Sequence, residues 1–209
     1  KGNATVFAYD SLNRLISTTD PLGNQSTTTY DVLGRVTKTV DAKGRSTQFA
    51  YDSLGRMTKV TDPNNKETVF TYDVVGNRLT VKNPNNETTT FTYDELNRLK
   101  TKTNAVAKVW TYSYDAVGNL SRKIDAVGSQ VDYTYDGNNR LLTVLYPNST
   151  SVALVYDANG NRTQMTDSVG VSNYTFDELN RLTNYVDAYG KTVGYEYDPA
   201  SNRTALIYP

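Results

Sequence analysis

The chain contains no cysteine and no histidine. The first absence excludes a disulfide framework and a thiol nucleophile, and leaves the redox compartment unreadable. The second removes His-based catalytic triads, most zinc sites and the commonest acid–base side chain. No apolar run approaches the roughly 18 residues that a membrane-spanning helix needs, and the opening Lys1-Gly2-Asn3-Ala4-Thr5 does not have the pattern of a signal peptide. Lys plus Arg and Asp plus Glu both number 22, so the formal net charge is zero. That balance argues against a nucleic-acid binder, which would need a basic stripe, and gives no electrostatic pull towards an anionic membrane. Helical signals are missing too. No segment carries apolar residues at i, i+3, i+4 and i+7, and Pro or Gly interrupts most of the chain.

What the sequence does have is periodicity. Tyr-Asp begins at Tyr9, Tyr30, Tyr51, Tyr72, Tyr93, Tyr114, Tyr135 and Tyr156, each step being 21 residues. Phe176-Asp177 follows one residue early, and Tyr197-Asp198 comes 21 later. A second marker lies 11 residues after most of these tyrosines, as at Asp20, Asp41, Asp62, Asn83, Asn104 and Asp125. Because both markers share the spacing, the whole unit repeats, and residues 1–209 read as one array of about ten repeats without a separate catalytic domain.

Two residues before each Tyr stands another column: Phe7, Thr28, Phe49, Phe70, Phe91, Tyr112, Tyr133, Leu154, Tyr174 and Tyr195. With Thr, Val and Ala between, this is the period of two expected of a strand with one apolar face. The Tyr and Phe columns are expected to be the packed layer of a sheet. After Tyr-Asp comes a turn such as Ser11-Leu12-Asn13-Arg14 or Val32-Leu33-Gly34-Arg35, in which Gly or Asn before Arg tolerates positive φ. A second strand follows, opening on Leu15, Val36, Met57, Leu79, Leu99, Leu120, Leu141 or Leu182. It ends at the second marker, where Asp20-Pro21-Leu22-Gly23-Asn24 and its equivalents carry turn chemistry. The expected fold is all-β: tandem 21-residue hairpins in one long antiparallel sheet of roughly twenty strands. At about 4.8 Å per strand it would run about 90–100 Å, too long to stay flat, so it must twist or coil.

Some copies deviate. Gly76-Asn77-Arg78, Gly160-Asn161-Arg162 and Ser201-Asn202-Arg203 place Arg one residue late, which suggests a locally absorbed bulge. Gly118-Asn119-Leu120 lacks the Arg, and the stretch from Asp167 to Phe176 has lost one residue.

The units YDSLNRL, YDVLGRV, YDSLGRM, YDELNRL and FDELNRL, followed by L-T-x-x-x-D-P-x-G, resemble the YD repeat of RHS proteins across residues 5–208. That family includes bacterial RHS polymorphic toxins, C components of insecticidal toxin complexes, wall-associated repeat proteins and teneurins. The resemblance implies a non-catalytic sheet that spirals into a hollow shell, which encloses a C-terminal toxic domain in the toxins and belongs to an adhesion receptor in teneurins. It implies a secreted or cell-surface location. The family's shell-closing core has no clear counterpart here. Asp20-Pro21-Leu22-Gly23 and Asp198-Pro199 resemble fragments of its cleavage motif but sit in register with the repeats and read as turns. The expectation is an interior stretch of something longer, with cargo encoded elsewhere.

Candidate sites follow the columns. Asp10, Asp31, Asp52 and their equivalents open turns; a residue repeated in every unit lacks the unique environment of a catalytic carboxylate. Arg14, Arg35, Arg56, Arg98, Arg140 and Arg181 could bind anions, or pair with the neighbouring turn, which is the reading preferred. The aromatic column could stack on glycans, the route to an adhesion module or surface fibre as the alternative function. No loop gathers the six or more oxygens that Ca²⁺ needs, and no cofactor is implied. Sequons at Asn3, Asn24, Asn86, Asn119, Asn148, Asn161 and Asn202 are a by-product of repeats rich in Asn and Thr. The sheet ends, near Thr5–Tyr9 and Thr204–Tyr208, are expected to be open edges able to pair with other repeats or other copies, end to end or as filaments.

Overall fold

The computed structural model describes residues 4–209; Lys1 to Asn3, with the Asn3 sequon and the start of the chain, lie outside the described residues. Among the described residues every regular element is a strand. The chain divides into two compact units, residues 1–108 and 109–209. In the first unit the strands are β1 (Val6–Tyr9), β2 (Leu15–Thr19), β3 (Gln25–Tyr30), β4 (Val36–Val40) and β5 (Ser46–Tyr51). They continue with β6 (Met57–Thr61), β7 (Glu67–Tyr72), β8 (Arg78–Lys82), β9 (Thr88–Tyr93) and β10 (Leu99–Thr103). The second unit begins with β11 (Val109–Tyr114), β12 (Leu120–Ile124), β13 (Gln130–Tyr135), β14 (Leu141–Leu145) and β15 (Ser151–Tyr156). It ends with β16 (Arg162–Thr166), β17 (Val171–Phe176), β18 (Leu182–Val186), β19 (Thr192–Tyr197) and β20 (Arg203–Ile207).

Within each unit, every strand pairs antiparallel with its neighbours in sequence, giving a meander. Two kinds of hairpin alternate. The hairpin closed by Tyr-Asp always carries a bulge at the same place. Ala8 faces Ser17 and Tyr9 faces Leu15, leaving Ile16 as the extra residue; likewise Thr71 faces Thr80 and Tyr72 faces Arg78, leaving Leu79. The hairpin closed by the second marker runs without a shift, as between β2 and β3.

That fixed bulge corrects the reading of the deviant copies. Asn77-Arg78 is not a displaced Arg with an added bulge. Asn77 occupies the position of Arg14 or Arg35, and Arg78 takes the position of Leu15 or Val36 as the first residue of β8, so that strand starts at Arg78 and not at Leu79. Asn161-Arg162 and Asn202-Arg203 do the same at β16 and β20. The missing residue of the eighth copy is lost from a turn: Asp167 N–H donates to Gly170 O, three residues on, where Asp20 N–H reaches Asn24 O, four residues on.

Apart from the shortened turn at Asp167, the turns share one backbone geometry, most of them opened by an aspartate and each holding a left-handed residue. Asp10 N–H donates to Arg14 O at 3.0 Å, and Asn13 N–H donates back to Asp10 O at 3.0 Å. Closing that loop puts Asn13 at φ 58° and its counterpart Gly34 at 83°. An L-residue with a bulky Cβ is disfavoured there, so Gly and Asn dominate the position.

The packed aromatic layer expected from the sequence is not buried. Among the described residues only Val144 and Ser172 are buried, and no side chain is fully enclosed. Phe7 and Tyr9, on the first strand, are 53% and 57% exposed. The alternation itself is present. In β7, Thr68, Phe70 and Tyr72 are half-buried, while on the other face Glu67 and Thr71 are exposed and Val69 is half-buried. Each unit is a single layer, so a side chain is covered only by neighbours on its own face. An antiparallel sheet covered on one side at most is the arrangement that a chain of mean hydropathy −0.59 can supply.

Candidate functional site

The polar columns converge on one motif, which joins each repeat to the next. In the first turn Asp10 Oδ1 accepts from Leu12 N–H and Arg14 N–H, at 2.9 and 3.0 Å. Asp10 Oδ2 accepts from Arg14 Nε at 2.7 Å. The carboxylate therefore closes its own turn and holds the guanidinium in a fixed direction. Donation from the Arg14 amide, followed by the Arg14 side chain, keeps the Asp10 carboxyl below the ordinary aspartate range despite some desolvation.

The aimed guanidinium then reaches into the following repeat. Arg14 Nη1 donates to Asp31 O at 3.1 Å, and its Cζ lies 4.7 Å from the centre of the Tyr30 ring. Tyr30 Oη in turn donates to Leu15 O at 3.0 Å, back in the first repeat. The result is a reciprocal staple of one cation–π contact and two hydrogen bonds between side chain and backbone. Arg35 with Tyr51 and Asp52 repeats it, with the Tyr51 hydroxyl on Val36 O. Arg56 with Tyr72 and Asp73 does so again, Tyr72 bonding Met57 O. In the second unit Arg181 joins Tyr197 and Asp198, with Tyr197 on Leu182 O. Arg140 stacks on Tyr156 and donates to Asp157 O. Arg98 pairs with Asp94 at 2.7 Å.

The remaining columns fall around this staple. Tyr93 and Tyr135 donate to Arg78 O and Leu120 O, so the tyrosine bond persists where the preceding turn has no Arg. Phe176 has no hydroxyl and follows the shortened turn. Tyr9 lies on the first strand, and Tyr114 closes β11. Phe49, Phe70 and Phe91 sit two residues before the Tyr column, facing Val60, Val81 and Lys102 across the hairpin. Where an arginine opens the second strand in place of Leu or Val, it too lies over an aromatic ring: Arg78 is 5.3 Å from the Phe91 ring centre and Arg162 is 4.6 Å from that of Tyr174.

Sequence reading missed a second set, the asparagines in the Arg position. Asn77 Nδ2 donates both to Asp73 Oδ2 and to Asn97 Oδ1 in the next repeat, at 2.8 Å each. Asn119 reaches Asn139 at 2.9 Å and Asn161 reaches Asn180 at 2.8 Å. The signal was present in the co-occurrence of Asn at the two positions. It was hidden by aligning the deviant copies on Arg.

No group of three or more metal-ligating side chains occurs among the described residues. The surface has shallow depressions, one lined by Tyr93, Asp94, Glu95, Leu96, Arg98 and Lys100.

Repeated hairpins, joined within each unit by recurring Arg, Asn and Tyr contacts, define a tandem β-hairpin repeat protein. RHS Repeat matches cover residues 9–46, 30–67, 72–109, 93–130, 114–151, 135–173, 156–192 and 176–209, and the chain belongs to that family. Comparison with curated proteins gave no significant match. Among solved structures, TcdB2-TccC3-TEV is similar over 100% of this chain and 12% of its own, with a TM-score of 0.76 at 17% identity. TcdB2-TccC3 without its hypervariable C-terminal region is similar over 100% of this chain and 16% of its own, at 0.60 and 15%. A Tc holotoxin pore of Photorhabdus luminescens carrying TccC3-D651A is similar over 99% and 15%, at 0.61 and 16%. At these identities the likeness shows the fold. This chain spans 12–16% of the length of the chains it matches.

Proposed function

We propose that the chain is a non-catalytic wall segment of a larger secreted or surface RHS protein, and that the wall helps to enclose a toxin or other cargo. The observation that carries this reading is the staple. The aspartates of the Tyr-Asp turns fix their own turns and, in most repeats, aim an arginine at the next one, while the hydroxyls of Tyr30, Tyr51, Tyr72, Tyr93, Tyr135 and Tyr197 bond back to the preceding repeat. Their output is a single layer of defined spacing, which is what a wall requires. Membership of the RHS repeat family and the fold shared with the Tc toxin structures support the same reading. The adhesion alternative would use the tyrosines as platforms for sugars. At Tyr30, Tyr51, Tyr72, Tyr156 and Tyr197 one ring face is already covered by an arginine, which favours the wall.

The test is protease protection in the full-length protein that carries this segment. Enclosure predicts that the polypeptide beyond the repeats resists digestion while the repeats are folded. It also predicts that protection falls when Arg35 and Arg56 are both replaced by alanine. Digestion of that polypeptide at the rate of an unfolded control, with the repeats intact, would refute enclosure. A glycan bound at micromolar affinity and lost on Tyr133→Ala would favour adhesion instead.

A further inference from the structure

The residue in the Arg position and the left-handed residue of the next turn vary together. Arg14, Arg35, Arg56, Arg98 and Arg140 are followed by Gly34, Gly55, Gly76, Gly118 and Gly160, and Arg181 by Ser201. Asn77, Asn119 and Asn161 are followed by Asn97, Asn139 and Asn180. There is no exception. All of these left-handed residues have positive φ, so the backbone alone would accept Gly or Asn at any of them. Turn conformation therefore does not explain which one is present.

The space between the repeats does. A β-carbon on Gly34, Gly55 or Gly160 would lie 3.7, 3.6 or 3.9 Å from Nη1 of the preceding arginine, whereas one on Gly76 would meet nothing within 4 Å. A β-carbon alone just fits, but the amide of an asparagine would project into the path of the guanidinium. Ser201, the one non-glycine in this set, is short enough to turn its hydroxyl towards the cation, accepting from Arg181 Nη1 at 3.3 Å. When the donor is an asparagine it is too short to reach the next turn's carbonyl. The left-handed asparagine then fills the gap and accepts its amide proton. Each combination is complete by itself, and the mixed ones are not. Arg against Asn crowds, and Asn against Gly leaves a donor without its partner.

We propose that this pair is a matching code for adjacent repeats: an edge whose turn carries Gly or Ser accepts a repeat with Arg, and an edge whose turn carries Asn accepts a repeat with Asn. The partner that fits an open edge is thus another RHS hairpin of the matching type.

A double-mutant cycle in the intact chain tests this. Asn77→Arg and Asn97→Gly are made singly and together, and unfolding is followed by denaturant titration. The code predicts that the double variant converts the junction to the arginine type. Its folding equilibrium constant should exceed the value expected from independent effects by about threefold or more, within the range seen for directly coupled residues. Arg35→Asn with Gly55→Asn is the reverse conversion, and it keeps the test open if Asn77→Arg alone does not fold. Agreement with independence to within about twofold in both cycles would overturn the proposal.

Discussion

Ala107 stands where the fold asks for Gly or Asn. Its turn has the common geometry: Asn104 N–H donates to Lys108 O at 3.0 Å and Ala107 N–H donates to Asn104 O at 3.0 Å. Closing it forces Ala107 to φ 58°. A left-handed L-residue costs about 1–2 kcal/mol. Replacing Ala107 with Gly removes that cost and gives back about 0.4–1 kcal/mol through the greater freedom of the unfolded chain. The net expectation is stabilisation by about 0–1.6 kcal/mol, centred near 0.8. Ala105 provides the control. It is exposed in the same turn but is not among the positive-φ residues, so Ala105→Gly should destabilise by about 0.4–1 kcal/mol. The same chemical change two residues apart thus has opposite signs. Equilibrium urea denaturation of both variants against the parent reads the difference. A destabilising Ala107→Gly would refute the argument that this turn stores strain.

Further outcomes follow from the same geometry. Phe70 is half-buried and open to solvent, so Phe70→Ala should cost about 1–3 kcal/mol, short of the 3–5 of an enclosed Phe; Thr71→Ala, on the exposed face, should cost less, and equal costs would show the faces wrongly assigned. Tyr51→Phe deletes one hydrogen bond to Val36 O and should cost about 0.5–1.5 kcal/mol, whereas no change in the denaturation midpoint would mean that the staple's hydroxyl contributes nothing. Backbone donation from arginine, with the arginine side chain, holds Asp10, Asp31, Asp94, Asp136 and Asp177 below the ordinary aspartate range. Their stabilising share is complete above the unfolded pKa near 4 and is lost as pH falls through the folded values; a melting temperature constant from pH 6 to pH 3 would contradict this. Asn202 donates to Asp198 of its own turn, and the left-handed Asn13 is the matching residue at the other end. Sedimentation of the isolated chain should therefore show end-to-end association that Asn202→Arg weakens; a strict monomer at high micromolar concentration would show the edges to be guarded.

Much of this was legible in one sequence because the chain states its rule repeatedly. The Tyr-Asp spacing located the hairpins, the alternation in Val69-Phe70-Thr71-Tyr72 located the two faces, and Gly or Asn before Arg located the left-handed turn residue. Three things were not legible. Burial depends on what covers a face, and period two is the same for a sheet under a second layer as for a bare one; hence Phe70 was expected in a core and is half-exposed. The Asn77 substitution was misread as a shift because Arg78 offered a tempting alignment, and only the register, Tyr72 opposite Arg78, separates the two. The destination of each guanidinium, a carbonyl 17 residues on, belongs to the spacing between hairpins, which no local pattern encodes.

The meander described above also determines how the protein can be made. Within each unit every strand pairs with the strands next to it in sequence, so no pairing waits for a distant part of the chain. Loop-closure entropy stays small at each step, and folding can begin at any hairpin and spread to its neighbours. A polypeptide emerging slowly from a ribosome or a translocation channel can lay down one hairpin, dock the next against it through Arg and Tyr, and continue. Growth of this kind leaves one unfinished strand exposed at a time, whatever the final length of the array.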